Sequence, residues 1–157
     1  MPQTHDLSPR GVVESFLLTV RSGHEPGRAA EYMAPEVLAH QVHSEDDEVV
    51  RRSPEDYTEH VREMVQAYGD FELTIEELLA DGDKVYARWR QVGTHLAPVD
   101  GAAPTGRPVV QMTSCVYRVE DGRIAEYWIQ IDRAGLAAQL HAGEAPDDRP
   151  GGSSGTA

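Results

Sequence analysis

Hydrophobic positions recur along this chain with two different periods, and the change of period divides it. Val12, Val13, Phe16, Leu17 and Val20 are spaced as one face of a helix. Ser8-Pro9 precedes them, a hydroxyl cap followed by proline at the first helical position, and Gly23 stops the run. Gly27 to Met33 predicts a short second helix, ended before Pro35. Val37 to His43 alternates and predicts a strand. The adjacent carboxylates Glu45 to Glu48 predict a loop, because like charges in a row repel and favour solvent. Ser53-Pro54-Glu55-Asp56 repeats the helix start, with two carboxylates in the first turn where the helix dipole favours them. Tyr57, Val61, Met64, Val65 and Tyr68 carry the helical period on to Gly69-Asp70.

From Phe71 the period becomes two. Phe71, Leu73 and Ile75 alternate with polar neighbours, and Asp81-Gly82 marks a hairpin turn into a strand from Val85 to Thr94. A Gly/Pro-rich loop, Ala97 to Pro108, leads to a long strand from Val109 to Val119. Glu120-Asp121-Gly122 turns it back into Arg123 to Ile131. Asp132 then caps a short terminal helix whose Leu136 and Leu140 face inward. From Gly143 the composition collapses to Gly, Ser, Pro, Ala and Asp, which cannot bury enough apolar surface to offset chain entropy. This predicts one domain over residues 1–142 and a disordered tail over 143–157. Helices followed by a meander of strands predict an α+β fold, three N-terminal helices on one face of a curved, mostly antiparallel sheet. A ligand pocket between the two layers is the natural place for a site.

Composition narrows the function without naming it. The chain has 157 residues, with 14 Lys+Arg against 27 Asp+Glu, a net charge of −13. That balance opposes the phosphate contacts nucleic-acid binding needs. One cysteine, Cys115, excludes a disulfide framework and a cysteine-based zinc site. No apolar run is long enough to span a bilayer, and residues 1–8 lack the features of a signal peptide, so a cytoplasmic location is the default expectation.

The last hairpin predicts which residues share a face. A three-residue loop at Glu120-Asp121-Gly122 pairs Val119 with Arg123, Tyr117 with Ala125, Cys115 with Tyr127, Thr113 with Ile129 and Gln111 with Ile131. A two-residue Asp-Gly loop would shift that register by one. Met112, Ser114, Val116, Glu126, Trp128 and Gln130 take the opposite face.

The element order, together with Arg88-Trp89, Gly93-Thr94-His95, Pro104-Thr105-Gly106-Arg107-Pro108, the stretch from Tyr117 to Trp128, and Asp132 before Gly135-Leu136, resembles the SnoaL-like polyketide cyclase family. That family belongs to the superfamily of nuclear transport factor 2 and ketosteroid isomerase. The resemblance covers residues 8 to 141. It implies a cone-shaped barrel, a pocket for a hydrophobic small molecule, no metal and no cofactor, and a homodimer or higher oligomer built on the outer sheet face. It implies natural-product chemistry, the type enzyme closing a polyketide ring by an intramolecular aldol reaction. Aligned on the family, the catalytic carboxylate falls on Ile129, the pocket histidine on Cys115, a pocket amide on Thr113 and a first-strand asparagine on Ala39. All four are changed, and Ile129 moves no proton.

The chemistry must then come from other residues. His43 shares a strand face with Ala39 and Gln41 and is the best surviving general base, since its ordinary pKa lies near neutrality. At a strand end beside the acidic loop it is equally placed to pair with Glu45 or Asp46. His40 and His43 form an H-x-x-H, but their odd separation on a strand sends them to opposite faces, away from joint metal ligation. Gln111 and Tyr127 are candidates for polarising a carbonyl. Gln41, Thr113, Cys115, Tyr117 and Ile129 are the expected substrate-binding wall. Cys115 has no neighbouring base or cation to make a thiolate. Asp132 serves as a helix cap. Arg88 and Arg90 point outward against the acidic neighbouring strand, or inward to an anionic substrate. His95 is structural; His5, His24, His60 and His141 lie on exposed helix surface, helix ends or near the tail. The expected activity is cyclisation of a polyketide-type intermediate in a nearly neutral pocket. The alternatives are a cofactor-independent hydroxylase, an epoxide-opening enzyme and a non-catalytic binding module.

Overall fold

The computed structural model describes residues 7–142. The predicted tail over 143–157 and His5 lie outside the described residues. Helix α1 (Pro9–Phe16) starts as expected, the Ser8 hydroxyl accepting from the Gly11 N–H at 3.1 Å. It then widens into a π-helical turn, Leu17–Arg21, whose inner side carries Leu17, Val20 and Arg21. The second helix is a 3₁₀ segment, Pro26–Glu31. Met33 already belongs to strand β1 (Met33–Gln41), four residues earlier than the alternation suggested. Pro35 is tolerated there because β1 pairing with β2 begins only at Val37, and the register with β6 breaks between Met33 and Leu38.

Strand β2 (Glu48–Arg52) was hidden by the acidic run, whose last carboxylate opens it. Helix α2 (Pro54–Tyr68) begins with a reciprocal capping box between Ser53 and Asp56, at 3.0 and 3.1 Å. Strands β3 (Glu72–Asp81), β4 (Lys84–Thr94), β5 (Pro108–Glu120) and β6 (Arg123–Ile131) follow, and α3 (Arg133–Leu140) closes the described chain. Asp132 caps α3, its carboxylate accepting from the Gly135 N–H at 3.0 Å.

The six strands form one curved, unclosed sheet in the order β2-β1-β6-β5-β4-β3. Every neighbouring pair is antiparallel except β1 with β6. The helical segments pack on its inner face, where Phe16 and Tyr57 meet Tyr117 and Tyr127 in a continuous aromatic core. Rings burying this much area dominate the cohesion of a domain this size.

The β5–β6 turn differs from the three-residue loop expected. Asp121 and Gly122 both have positive φ, 52° and 76°, and Glu120 pairs directly with Arg123, which makes a two-residue turn. A one-residue irregularity at Ala125 follows, so that Arg118 pairs with Glu126 and Tyr117 with Tyr127. The short turn shifts the register once and the bulge shifts it again. Beyond the bulge the faces therefore agree with the expectation, although each partner differs by two. Within it, Ile124 enters the core in place of Ala125, and Arg123 is exposed.

The Gly-Thr-His motif explains how α2 closes over the sheet. A Cβ on Gly93 would lie 2.8 Å from both the Cβ and the carbonyl oxygen of Tyr68, so the helix end crosses β4 only where no side chain stands. Two residues on, buried His95 pins the Pro-Thr-Gly loop: its Nδ1 accepts from the Thr105 N–H at 3.3 Å, and its carbonyl accepts from the Gly106 N–H at 2.9 Å.

Candidate active site

The sheet register arranges the inner-face side chains in rows, with neighbours about 5 Å apart across strands. One row runs Ala87, Cys115, Ile129, Gln41 through β4, β5, β6 and β1. The next, toward the carboxyl end of β1, holds Trp89, Thr113 and Ile131, and beyond it Gln91 stands beside Gln111. On the other side lies the row Val85, Tyr117, Tyr127, Ala39. Of the expected residues, Gln41, Gln111, Thr113, Cys115, Tyr117, Tyr127 and Ile129 are all buried on this face. His43 lies just past the end of β1, where Val42 still donates to the Ile129 carbonyl; its Nδ1 is buried without a hydrogen-bond partner. His40 faces the other way, bonded to Glu126 at 2.6 Å and stacked on Trp128. Arg88 and Arg90 are exposed. Among the described residues no group of three His, Cys, Asp or Glu is arranged to hold a metal ion, and no helix is long and apolar enough to cross a membrane.

The interior is not the nearly neutral cavity expected. Two arginines enter it: Arg21 from the π-helical turn, 4 % exposed, and Arg52 from the end of β2, 8 % exposed. Arg21 Nη1 donates to Gln91 Oε1 at 2.8 Å, and its guanidinium carbon lies 5.6 Å from the Trp89 ring centre. Arg52 lies against the Tyr127 hydroxyl, and its Nε is buried without a partner. Neither forms an ion pair among the described residues; Asp56, in the first turn of α2, feels the Arg52 charge only at a distance. The indole N–H of fully buried Trp89 is also unpartnered.

His60, expected on exposed helix surface, is half-buried beside Tyr57, with ring centres 6.0 Å apart. Burial, then the charge of Arg52, then that of Arg21, push its pKa down to about 3, so the imidazole is neutral at pH 7. Burial pushes the Tyr57 hydroxyl up to about 12 and holds those of Tyr117 and Tyr127 well above the usual tyrosine range. They remain protonated donors. Burial likewise pushes the Cys115 thiol up, which keeps it an inert wall residue.

Arg21, Arg52, His60, Gln91 and Trp89 are the candidate residues that the sequence pattern did not single out, and three of them carried a trace. Arg21 stands four residues after Leu17 and His60 three after Tyr57, both on buried helical stripes. Arg52 continues an alternation with Val50, which only the unrecognised strand would have revealed.

The SnoaL-like polyketide cyclase family matches residues 11–140. Among solved structures, a protein from Acidithiobacillus ferrooxidans provisionally designated a polyketide cyclase superposes with a TM-score of 0.73 at 26% identity, over 85% of this chain and 95% of that one. IdmH from Streptomyces antibioticus, provisionally designated likewise, gives 0.70 at 27% identity over 85% and 99%. AclR from Streptomyces galilaeus, provisionally designated a hydroxylase, gives 0.71 at 22% identity over 88% and 83%, a likeness of fold alone. No functionally curated protein matches the sequence.

Proposed function

The chain belongs to the SnoaL-like polyketide cyclase family, and on that premise we propose that it cyclises a hydrophobic, polyketide-type small molecule held between the helical layer and the sheet. The observation that carries this reading is the composition of the inner face. The uncharged hydrogen-bonding groups Gln111, Thr113 and Tyr127 stand among apolar and aromatic walls, and His43, with its buried and unpartnered Nδ1, lies just past the end of β1. Such a surface folds a flexible chain and polarises its carbonyls.

In the proposed step, His43 takes the proton from a carbon flanked by two carbonyls. The enolate carbon attacks a second carbonyl of the same molecule, forming one C–C bond, and the resulting alkoxide takes a proton back. The step balances without a co-reactant. Gln111 and Tyr127 donate to the carbonyl oxygens on which charge develops. Gln41, Thr113, Cys115, Tyr117 and Ile129 shape the wall, and Ile129 at the family's carboxylate position is why the proton must travel through His43.

The test is turnover of a linear poly-β-ketone in deuterated buffer, following ring closure and deuterium at the flanked carbon. His43→Gln should lower the rate about 100-fold, the scale of a lost general base. Asp132→Ala, which removes only a helix cap, should leave the rate unchanged. Undiminished turnover in His43→Gln would remove His43 from the chemistry. Oxygen consumption coupled to product would replace cyclisation with hydroxylation.

A further inference from the structure

A chain with 27 Asp and Glu sends two guanidiniums into its interior, and among the described residues no carboxylate forms an ion pair with either. This is costly. A charge taken out of water is normally retained only when paired, and a buried donor normally has a partner. Arg21 and Arg52 come from different elements, the π-helical turn and strand β2, so no single local sequence preference places them both inside. Both nevertheless border one aromatic core: Arg21 lies over Trp89, whose ring stacks on Tyr117, and Arg52 lies against the hydroxyl of Tyr127, whose ring centre is 5.7 Å from that of Tyr117. Arg21 is held against Gln91 and the Trp89 ring, and Arg52 Nε is unpartnered. Trp89 Nε1, fully buried beside Arg21, is a further donor without an acceptor. A set of planar cations and N–H donors without a counter-charge is complementary to a delocalised oxyanion.

We propose that Arg21 and Arg52, with Trp89 Nε1 and the His60 imidazole, form an oxyanion-binding subsite, so that the substrate of this enzyme carries a carboxylate or the stabilised enolate of a β-dicarbonyl. The inference rests on the cyclase reading for the location of the pocket and adds the charge of its occupant. Neutral His60 supplies an N–H without a competing positive charge, and Gln91 fixes the Arg21 fork. The negative net charge of the chain slows the approach of such a ligand but does not weaken the local field, because distant surface charges are screened by salt while buried ones are not.

The experiment compares three aromatic probes on the wild-type protein by calorimetry: 2-naphthoate, its neutral isostere 2-naphthamide, and the β-diketone 2-acetyl-1-tetralone. The subsite predicts at least a tenfold preference for naphthoate over naphthamide, or an enolate absorbance of the bound diketone that appears at lower pH than in free solution. Whichever anion responds identifies the source of the charge. Arg21→Met and Arg52→Met should each reduce that preference severalfold, and Arg52→Lys should restore part of it. In the naphthoate complex the His60 imidazole should titrate at higher pH by NMR than in the free protein. Equal binding of naphthoate and naphthamide, with no shift of the diketone, overturns the oxyanion subsite and leaves the pocket standing. Failure of all three to bind at millimolar concentration overturns the pocket together with it.

Discussion

The two faces of the sheet treat charge in opposite ways. On the outer face, Glu126 is gripped from both sides, by His40 at 2.6 Å and Arg118 at 3.0 Å, and Arg118 also reaches Glu120 at 2.9 Å. His40 lies flat on Trp128, with ring centres 4.9 Å apart, and Lys84 stands over the same indole. Water would solvate these groups adequately, so the pairs add order more than energy. On the inner face, where burial makes pairing far more valuable, Arg21 and Arg52 form no ion pair with a carboxylate among the described residues. Charge outside is compensated by the chain itself. Charge inside awaits compensation from something else, and a fold keeps such a debt only where function returns it.

The strongest test of this contrast is to neutralise the interior. The triple variant Arg21→Met, Arg52→Met, Gln91→Leu keeps the side-chain volume and leaves no orphaned amide. Because apolar groups replace uncompensated charge, we expect it to be more stable than wild type by about 1–4 kcal/mol, the range seen when buried ionic groups give way to hydrophobic ones. Urea unfolding at pH 7 measures this. A loss of stability would show that the two guanidiniums hold the fold together and are not reserved for a ligand.

The faces should also separate in pH. His60 has a pKa of about 3 in the folded protein against 6.5 ordinarily, so below pH 6.5 the unfolded chain takes up a proton that the folded one refuses. Stability is full above pH 6.5 and is lost as pH falls toward 3, by up to about 2 kcal/mol between pH 6.5 and 4.5 at about 1.4 kcal/mol per proton per unit. His60→Asn should flatten that part of the profile relative to wild type. Glu126, held low first by its hydrogen bond to His40 and then by Arg118, works in a different window. Its contribution is present above the ordinary carboxylate pKa and vanishes as pH falls through the lower folded value. A wild-type slope unchanged in His60→Asn would mean that neither burial nor the inner arginines hold the folded imidazole low.

Local chemistry makes most of the architecture legible in the sequence. Ser8-Pro9, Ser53-Pro54 and Asp132 each mark a helix start by satisfying N–H groups that the helix itself cannot, and all three caps are present. Strand parity placed Gln111, Thr113, Cys115, Tyr117, Tyr127 and Ile129 inside, because two one-residue errors in register cancel in a period of two. Strand β2 was illegible: five residues with Val49 outward and Arg52 inward, preceded by carboxylates, carry too little alternation to stand out. The character of the interior was lost with it. Arg21, Arg52 and His60 are polar by type, and only the packing of the π-helical turn and of β2 against α2 turns them inward. A period reports which positions are buried; it does not report that a charge has been buried on purpose.

The smallest expected effect lies on the outer face, and its sign completes the contrast. Arg118→Met removes both outer ion pairs of that residue and should cost no more than about 1 kcal/mol, since partly exposed pairs gain little over hydrated ions. Raising the ionic strength to 1 M shortens the screening length to about 3 Å and should erase most of the difference between Arg118→Met and wild type. The same salt should leave the gain of the inner triple variant largely intact, because water and counterions do not reach a guanidinium as buried as Arg21. Outer and inner arginine-to-methionine changes should thus move stability in opposite directions and respond differently to salt. If both responded alike, the unpaired interior charge would be as well solvated as the surface, and the distinction between the two faces would fall.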